Sequence, residues 1–305
     1  MKLWLIRFKA AMEKIISIII PTYNRSLELS EVIETYFIQK YVREIIVIND
    51  GSSESYKNTI DKCLCLQNKY DVKFIYKKNK FNEGAAKSRN FGLKLVSGQY
   101  ILWGEDDAFL ADNYTEVLYK KLKTQKAFCF GSIYYGITIK ENLQERNVKI
   151  KKQQNNHRKL FNYETLEGYY RLKVEDTEVP WGHALILVPM TAYDNVRYYE
   201  KYKINGYREE TDAQVQMLEN GWKCIYTAET ECYHYPTKKG TGQHKKNFII
   251  NEIYKTLNNN KFLDRHYNFL SIKFNLGKNI SKVKLDFIIN QVENIIAKLI
   301  GKLYM

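Results

Sequence analysis

Two hydrophobic rhythms alternate along the first 125 residues. Ile15 to Ile20 is an almost unbroken apolar, β-branched run, the pattern of a parallel strand buried on both faces. Pro21 is expected to stop it. Leu29, Val32, Ile33, Tyr36 and Phe37 then recur at helical spacing. Glu44 to Ile48 reads as a second buried strand, ended by the turn-forming Asn49-Asp50-Gly51-Ser52-Ser53. Val72 to Tyr76 predicts a third strand, Gly84 to Leu95 a helix of small residues, and Tyr100 to Trp103 a fourth strand. Tyr114, Val117, Leu118 and Leu122 mark a further helix. Repeated β-α-β units predict an α/β fold with a doubly wound, mostly parallel twisted sheet flanked by helices.

The second half is less regular. Lys140 to Lys159 is polar and charged and reads as a loop or insertion. Tyr163 to Leu172 reads as a helix and Ala184 to Val188 as a buried strand. Thr211 to Asn220 reads as a helix closed by Gly221, followed by a strand from Trp222 to Tyr226. From Lys282 to Leu303 apolar residues recur at helical spacing among Lys282, Lys284, Lys298 and Lys302. Such a basic amphipathic helix can lie on an anionic membrane surface, dock on the body of the protein, or meet a second subunit. No run approaches the roughly 18 to 20 apolar residues that span a bilayer. Met1 to Ala11 is too short and charged for a signal peptide; it reads as an extension ahead of a second start at Met12, with a small interfacial anchor as the alternative.

Composition narrows the partners. A net charge of +14 points to an anionic ligand, or else to a lysine-rich solvated surface. A nucleic-acid module would show basic and aromatic residues interleaved on one face, or a known motif. Neither is present, so no nucleic-acid partner is expected. The five cysteines show no zinc spacing and read as free thiols of a reducing cytosol.

The chemistry gathers at strand ends. The fourth strand leads into Gly104-Glu105-Asp106-Asp107, and ligands of open α/β sheets bind at the carboxyl ends of strands. Adjacent carboxylates there repel unless a cation lies between them and an anionic ligand. A divalent metal gripping a diphosphate suits the arrangement. The first strand ends Pro21-Thr22-Tyr23-Asn24-Arg25, the second Asn49-Asp50-Gly51-Ser52, and the small-residue helix reads Asn82-Glu83-Gly84-Ala85-Ala86-Lys87-Ser88-Arg89-Asn90-Phe91-Gly92.

In this order and spacing, over about residues 15 to 110, the motifs resemble a GT-A glycosyltransferase of family 2, an inverting, nucleotide-sugar-dependent group. The resemblance implies a catalytic domain over 1–245, with a nucleotide-binding part at 15–125 and an acceptor and base part at 160–245. A C-terminal helical region at 246–305 would follow. It places Pro21, Thr22, Tyr23, Arg25, Asp50, Gly84, Arg89 and Asp106 around the nucleotide. Thr22 and Tyr23 would flank the base, Asp50 would accept the uracil N3–H, and Arg89 would lie along the nucleotide. Asp50 can equally be an Asx-turn residue.

The family's usual first aspartate is replaced by Gly104. Asp107 is then the expected ligand of Mn²⁺ or Mg²⁺, with Asp106 on ribose or a metal-bound water and Glu105 pointing aside. His234 would complete the metal shell or touch the diphosphate. Gly206-Tyr207-Arg208-Glu209-Glu210-Thr211-Asp212 resembles the family's acidic motif. Glu210 falls on the base position, Glu209 beside it, and Asp212 reads as a helix cap. Trp181 and Gly182 fall where the family faces its acceptor, Trp181 stacking on a sugar or filling the core. Lys238 and Lys239 lie in a Gly-containing loop that would close over the diphosphate, or simply be a surface loop.

The implied reaction is a single displacement that inverts the anomeric carbon, moving sugar from a nucleoside-diphosphate donor, UDP favoured, to a glycan or lipid-linked acceptor of surface polysaccharide or glycoconjugate synthesis. The implied location is cytoplasmic, peripheral at the inner membrane face. A nucleotidyltransferase would carry a basic Gly-rich loop after its first strand, where this chain has Pro-Thr-Tyr-Asn-Arg. An inactive relative that only binds a partner is the other alternative.

Overall fold

The computed structural model describes residues 13–155, 159–202, 204–236 and 248–303. The strand β1 (Ile16–Thr22) enters the centre of the sheet and is followed by two short helices, α1 (Ser26–Val32) and α2 (Glu34–Phe37). Then come β2 (Val42–Asn49), α3 (Lys57–Tyr70), β3 (Lys73–Lys78), α4 (Ala85–Leu93) and β4 (Tyr100–Trp103). The strands β3, β2, β1 and β4 lie side by side in that order and are mutually parallel. The isoleucines and valines of β1 and β2 are buried because helices cover both faces of such a sheet.

The second half closes the sheet differently. A short strand β5 (Ala108–Leu110), α5 (Tyr114–Leu122) and the long β6 (Ala127–Tyr135) precede α6 (Leu143–Gln154). Small pieces follow: β7 (Phe161–Asn162), β8 (Glu167–Gly168), β9 (Thr177–Glu178) and β10 (Leu187–Pro189). The chain ends through α7 (Glu209–Glu219), β11 (Lys223–His234), α8 (Phe248–Lys273) and α9 (Ile280–Leu303). The sheet continues from β4 through β10, β6 and β11 to β5, with β10 and β5 antiparallel to their neighbours.

Several expectations are corrected. Pro21 does not stop β1, which runs to Thr22. Alternate residues of a strand face opposite neighbours, and Ile19 faces β4, whose pairing ends at Trp103. The N–H that Pro21 lacks would point past that end, so no ladder bond is lost. The polar stretch after Lys140 folds as α6, started by a capping box in which Asn142 and Glu145 satisfy each other's backbone N–H. Ile150 is the one buried residue among the described ones of α6, so a hydrophobic period was never there to read. Residues 163–172 are not helical: β7 and β8 form a hairpin there, and Leu166 takes a left-handed φ of 55°. The strand from Trp222 does not stop at Tyr226 but bulges and continues to His234.

Candidate functional site

The parallel strands deliver their polar ends to one rim. Beyond β1, Asn24 receives a hydrogen bond from the Ser53 N–H at 2.9 Å and donates its own N–H to Ser52 at 2.8 Å. The two loops are thereby locked together. Tyr56 joins them from α3's start, its hydroxyl 2.7 Å from Thr22 Oγ1 and accepting the Arg25 N–H at 3.0 Å. Tyr23 is half-buried at this rim. Gly51 takes φ 72°, and a Cβ there would lie 2.4 Å from the Phe81 carbonyl carbon, so the turn demands glycine.

Asp50 is buried and accepts from Asn79 Nδ2 at 2.9 Å, Glu83 N at 3.0 Å and Gly84 N at 2.8 Å. Three of a carboxylate's roughly four acceptor positions are taken. Asp50 thus pins the start of α4 and keeps one position for a ligand. Asp106 and Asp107 follow β4 and share the Arg25 guanidinium, at 2.9 and 2.5 Å, with all three side chains buried. Arg25 therefore reaches the acidic corner as a counter-ion.

The metal corner is assembled by strand pairing. β5 begins directly after Asp107 and pairs antiparallel with the end of β11, opposing Ala108 to His234. The Tyr235 N–H closes the ladder on the Asp107 carbonyl at 2.6 Å. His234 Nε2 thereby stands 3.5 Å from Asp107 Oδ1 and 3.8 Å from Glu105 Oε2. The donor atoms of Glu105, Asp107 and His234 all lie within 4.8 Å of one another. These gaps exceed a hydrogen bond and match neighbours on one shared ion. Glu105, expected to point aside, instead joins the cluster. Gly104 cannot take the acid in its place: a Cβ there would meet Ile20 Cγ1 at 2.7 Å and Tyr36 at 3.0 Å.

Tyr36 was visible in the sequence only as an apolar helix position. Its hydroxyl receives the Glu105 N–H at 3.1 Å and lies 2.9 Å from the Ala108 carbonyl and 3.0 Å from that of Glu105, between which its single proton is shared, holding the acidic loop in shape. A hydroxyl on an otherwise aliphatic helix stripe was the available signal.

The opposite wall comes from α7. Arg89 of α4 is buried, with its guanidinium on the Glu209 and Glu210 carboxylates, the second at 2.8 Å, and within 5.4 Å of the Tyr198 ring. In this conformation Arg89 joins α4 to α7. The Glu209 side chain is 7% exposed and that of Glu210 30%. Among the described residues Glu210 Oε2 makes no hydrogen bond. Burial and then Glu210 push Glu209 up to about 8, against Arg89. Burial raises Glu105 to about 7 against His234, and Asp106 to about 6 against Arg25. The first cause in each is burial; neighbouring carboxylates add to it and leave the corner short of positive charge. A hard divalent cation relieves that deficit, and two carboxylates with an imidazole are donors that fit it.

Trp181 is 4% exposed, edge-on to Phe161 and Phe262 at 4.9 and 5.7 Å, with Arg208 over its ring at 5.4 Å. It is packed in a wall; it does not present a free stacking face. That wall borders an open cleft of about 440 Å³, also lined by Tyr169, Arg171, Tyr207 and Arg208, immediately before Glu209. Gly182 packs on Phe130 and donates its N–H to Gln214 at 2.6 Å. His183 accepts the Leu185 N–H at Nδ1 and faces the Gly131 carbonyl through Nε2, and burial lowers it to about 4. It is a neutral structural histidine. Lys238 and Lys239 lie outside the described residues.

A parallel sheet whose rim carries a nucleotide-type loop set, an acidic and histidine cluster and a facing glutamate defines a GT-A nucleotide-sugar fold. Residues 17–176 match the model of "Glycosyl transferase family 2", more than half of the chain, and the chain belongs to that family. Glycosyltransferase GlyG of Streptococcus pneumoniae is 30% identical over 126 residues, covering 41% of this chain and 40% of that protein. The Escherichia coli protein named UDP-Glc:alpha-D-GlcNAc-diphosphoundecaprenol beta-1,3-glucosyltransferase WfaP is 30% identical over 123 residues, covering 40% and 47%. The matches therefore span less than half the length of these relatives. The mannosyltransferase PcManGT of Pyrobaculum calidifontis, solved with GDP-Man and Mn²⁺, superposes with a TM-score of 0.57 at 12% identity, covering 88% and 69%. At that identity the likeness concerns the fold.

Proposed function

We propose that the chain is an inverting glycosyltransferase that moves a sugar from a nucleoside-diphosphate donor, UDP favoured, to a hydroxyl of a glycan or lipid-linked acceptor. The observation that carries this reading is the half-exposed Glu210, with one unbonded oxygen, facing the Glu105, Asp107 and His234 cluster across the sheet rim. Glu210 takes the acceptor proton as the hydroxyl oxygen attacks the anomeric carbon. Glu209 and Arg89 hold Glu210 in position, and the single displacement inverts the anomeric centre. Thr22, Tyr23, Asp50 and Asp106 hold the nucleotide. Mn²⁺ or Mg²⁺ on Asp107, His234 and Glu105 would neutralise the departing diphosphate. The acceptor lies along the cleft beside Tyr207 and Arg208.

WfaP, by its name, uses UDP-glucose and a polyprenol-linked acceptor, which supports the uridine and lipid-linked readings. Residues 1–245 are the catalytic unit in this proposal and 246–305 its helical extension, in a cytoplasmic enzyme. The described helices include none long and apolar enough to cross a membrane.

A thermal-shift panel of UDP, GDP, CDP and their sugars, with Mn²⁺ or Mg²⁺, tests the donor. The expected result is a metal-dependent rise with UDP compounds, lost in Asp107→Asn. No rise with any nucleotide overturns the reading. Proton NMR of the product's anomeric coupling then decides inversion, and a retained configuration refutes it.

A further inference from the structure

We propose that α9 pairs in parallel with the α9 of a second copy of this chain. The helix has two apolar faces. Val283, Phe287 and Gln291, one turn apart, are buried against the body. On the opposite side Leu285, Ile289, Val292 and Ile296 are 50, 44, 47 and 50% exposed. Their spacing is four, three, four, and Leu299 and Leu303 extend it in sequence by three and four. Alternating steps of three and four over about three heptads are the seam of a two-stranded coiled coil. A seam of this size facing solvent calls for a covering partner.

Charge selects protein over lipid as that partner. Anionic lipid is held by lysines free to reach headgroups. Here Lys278 and Lys282 are paired with Asp286 at 2.8 and 2.9 Å, and Lys284 with Asp264 at 2.5 Å. Lys298 Nζ rests 3.7 Å from the Phe248 ring of α8. Of the lysines that read as membrane-facing in sequence, Lys282, Lys284 and Lys298 make contacts with their own chain.

The register favours two parallel copies. Ile289 and Ile296 occupy one core position and Leu285 and Val292 the other; β-branched residues at the first with Leu285 at the second support a parallel pair. Flanking positions that meet across a parallel pair are 288 with 293 and 295 with 300, that is Ile with Glu and Ile with Ile. No like charges oppose each other there.

Sedimentation velocity of the full chain at about ten micromolar tests this. The expected mass is two chains for the wild type and for Ala297→Glu, which lies off the seam, and one chain for Ile289→Glu combined with Val292→Glu. Circular dichroism and the melting curve of the double variant check that it folds. Should it not fold, Val292→Cys, nearly isosteric, replaces it: oxidation should cross-link this variant as a dimer where the wild type is not cross-linked. A one-chain wild type overturns the proposal, as does a double variant that stays dimeric. So does a monomer that sediments with phosphatidylglycerol vesicles through Ile289 and Val292, which would assign the face to lipid.

Discussion

Two acidic clusters use side chains of α7, one around Asp212 and one at the sheet rim with Glu209, and they are opposites. Asp212, fully buried, accepts from Tyr202 OH at 2.7 Å, Arg265 Nε at 2.8 Å, His266 Nε2 at 2.9 Å and Gln216 Nε2 at 2.6 Å. The other nitrogen of His266 faces Glu219 at 2.9 Å, so both ring nitrogens donate and the imidazole is charged. Burial alone would raise Asp212, but His266 and Arg265 outweigh it and leave its pKa below the ordinary value. Burial would lower His266, and Asp212 and Glu219 outweigh it and raise it. At the sheet rim the sign is reversed: Glu105, Asp106 and Glu209 are all raised. One cluster is closed and charge-balanced. The other is short of positive charge and open on one side. Balanced burial stabilises a fold, whereas imbalance reserves a place for a cation and its ligand.

The comparison breaks most sharply by mutation. Glu210→Gln should lower kcat by about 10²- to 10⁴-fold while UDP affinity by calorimetry stays within about threefold. Glu209→Gln should cost less, because the buried neighbour positions the base without receiving the proton. Equal losses would remove the distinction between them.

Asp212→Asn should act on the other axis. Removing one partner of a buried ion pair costs about 3 to 5 kcal/mol, measured by urea unfolding, with metal-dependent nucleotide binding retained in the folded fraction. Glu105→Gln should do the reverse in metal-free buffer, raising the melting temperature, since an acid with a raised pKa loses stability once ionised. A fall in melting temperature for Glu105→Gln would mean the rim is not charge-deficient.

The smallest effect is in pH. The lowered Asp212 contributes stability above its unfolded pKa of about 3.9, lost as pH falls through its folded value. The raised His266 contributes below its unfolded pKa of about 6.5, lost as pH rises through its folded value. The stability difference between wild type and His266→Gln should therefore be greatest at about pH 4 to 6.5 and shrink above that range. A difference independent of pH would show that His266 acts by packing alone.

Much of the nucleotide half was legible because its chemistry is local. β1, β2 and β4 carry largely apolar runs, and each ends in a short polar motif a few residues long. Strand position and side-chain period are properties of neighbouring residues, so sequence determined them, along with the identity of Asp50, Asp107 and Glu210 as candidates. The second half was legible only where a period exists: α7, the start of β11 and α9 fall close to where the sequence placed them. α6 shows almost no buried side, and β7 to β10 are two- or three-residue strands with no period to detect.

What tertiary structure alone decided is which side chains meet. His234 reaches Asp107 because β5 and β11 pair antiparallel across 126 positions, and Glu105 is admitted because Gly104 has no room for a side chain. Tyr36 became a brace of the acidic loop, Arg89 a bridge to α7, and Lys282 and Lys284 of α9 were paired with Asp286 and Asp264. A residue type states what chemistry is available. The long-range contacts that set burial and local field decide whether that chemistry is used for binding, for catalysis or for holding the fold.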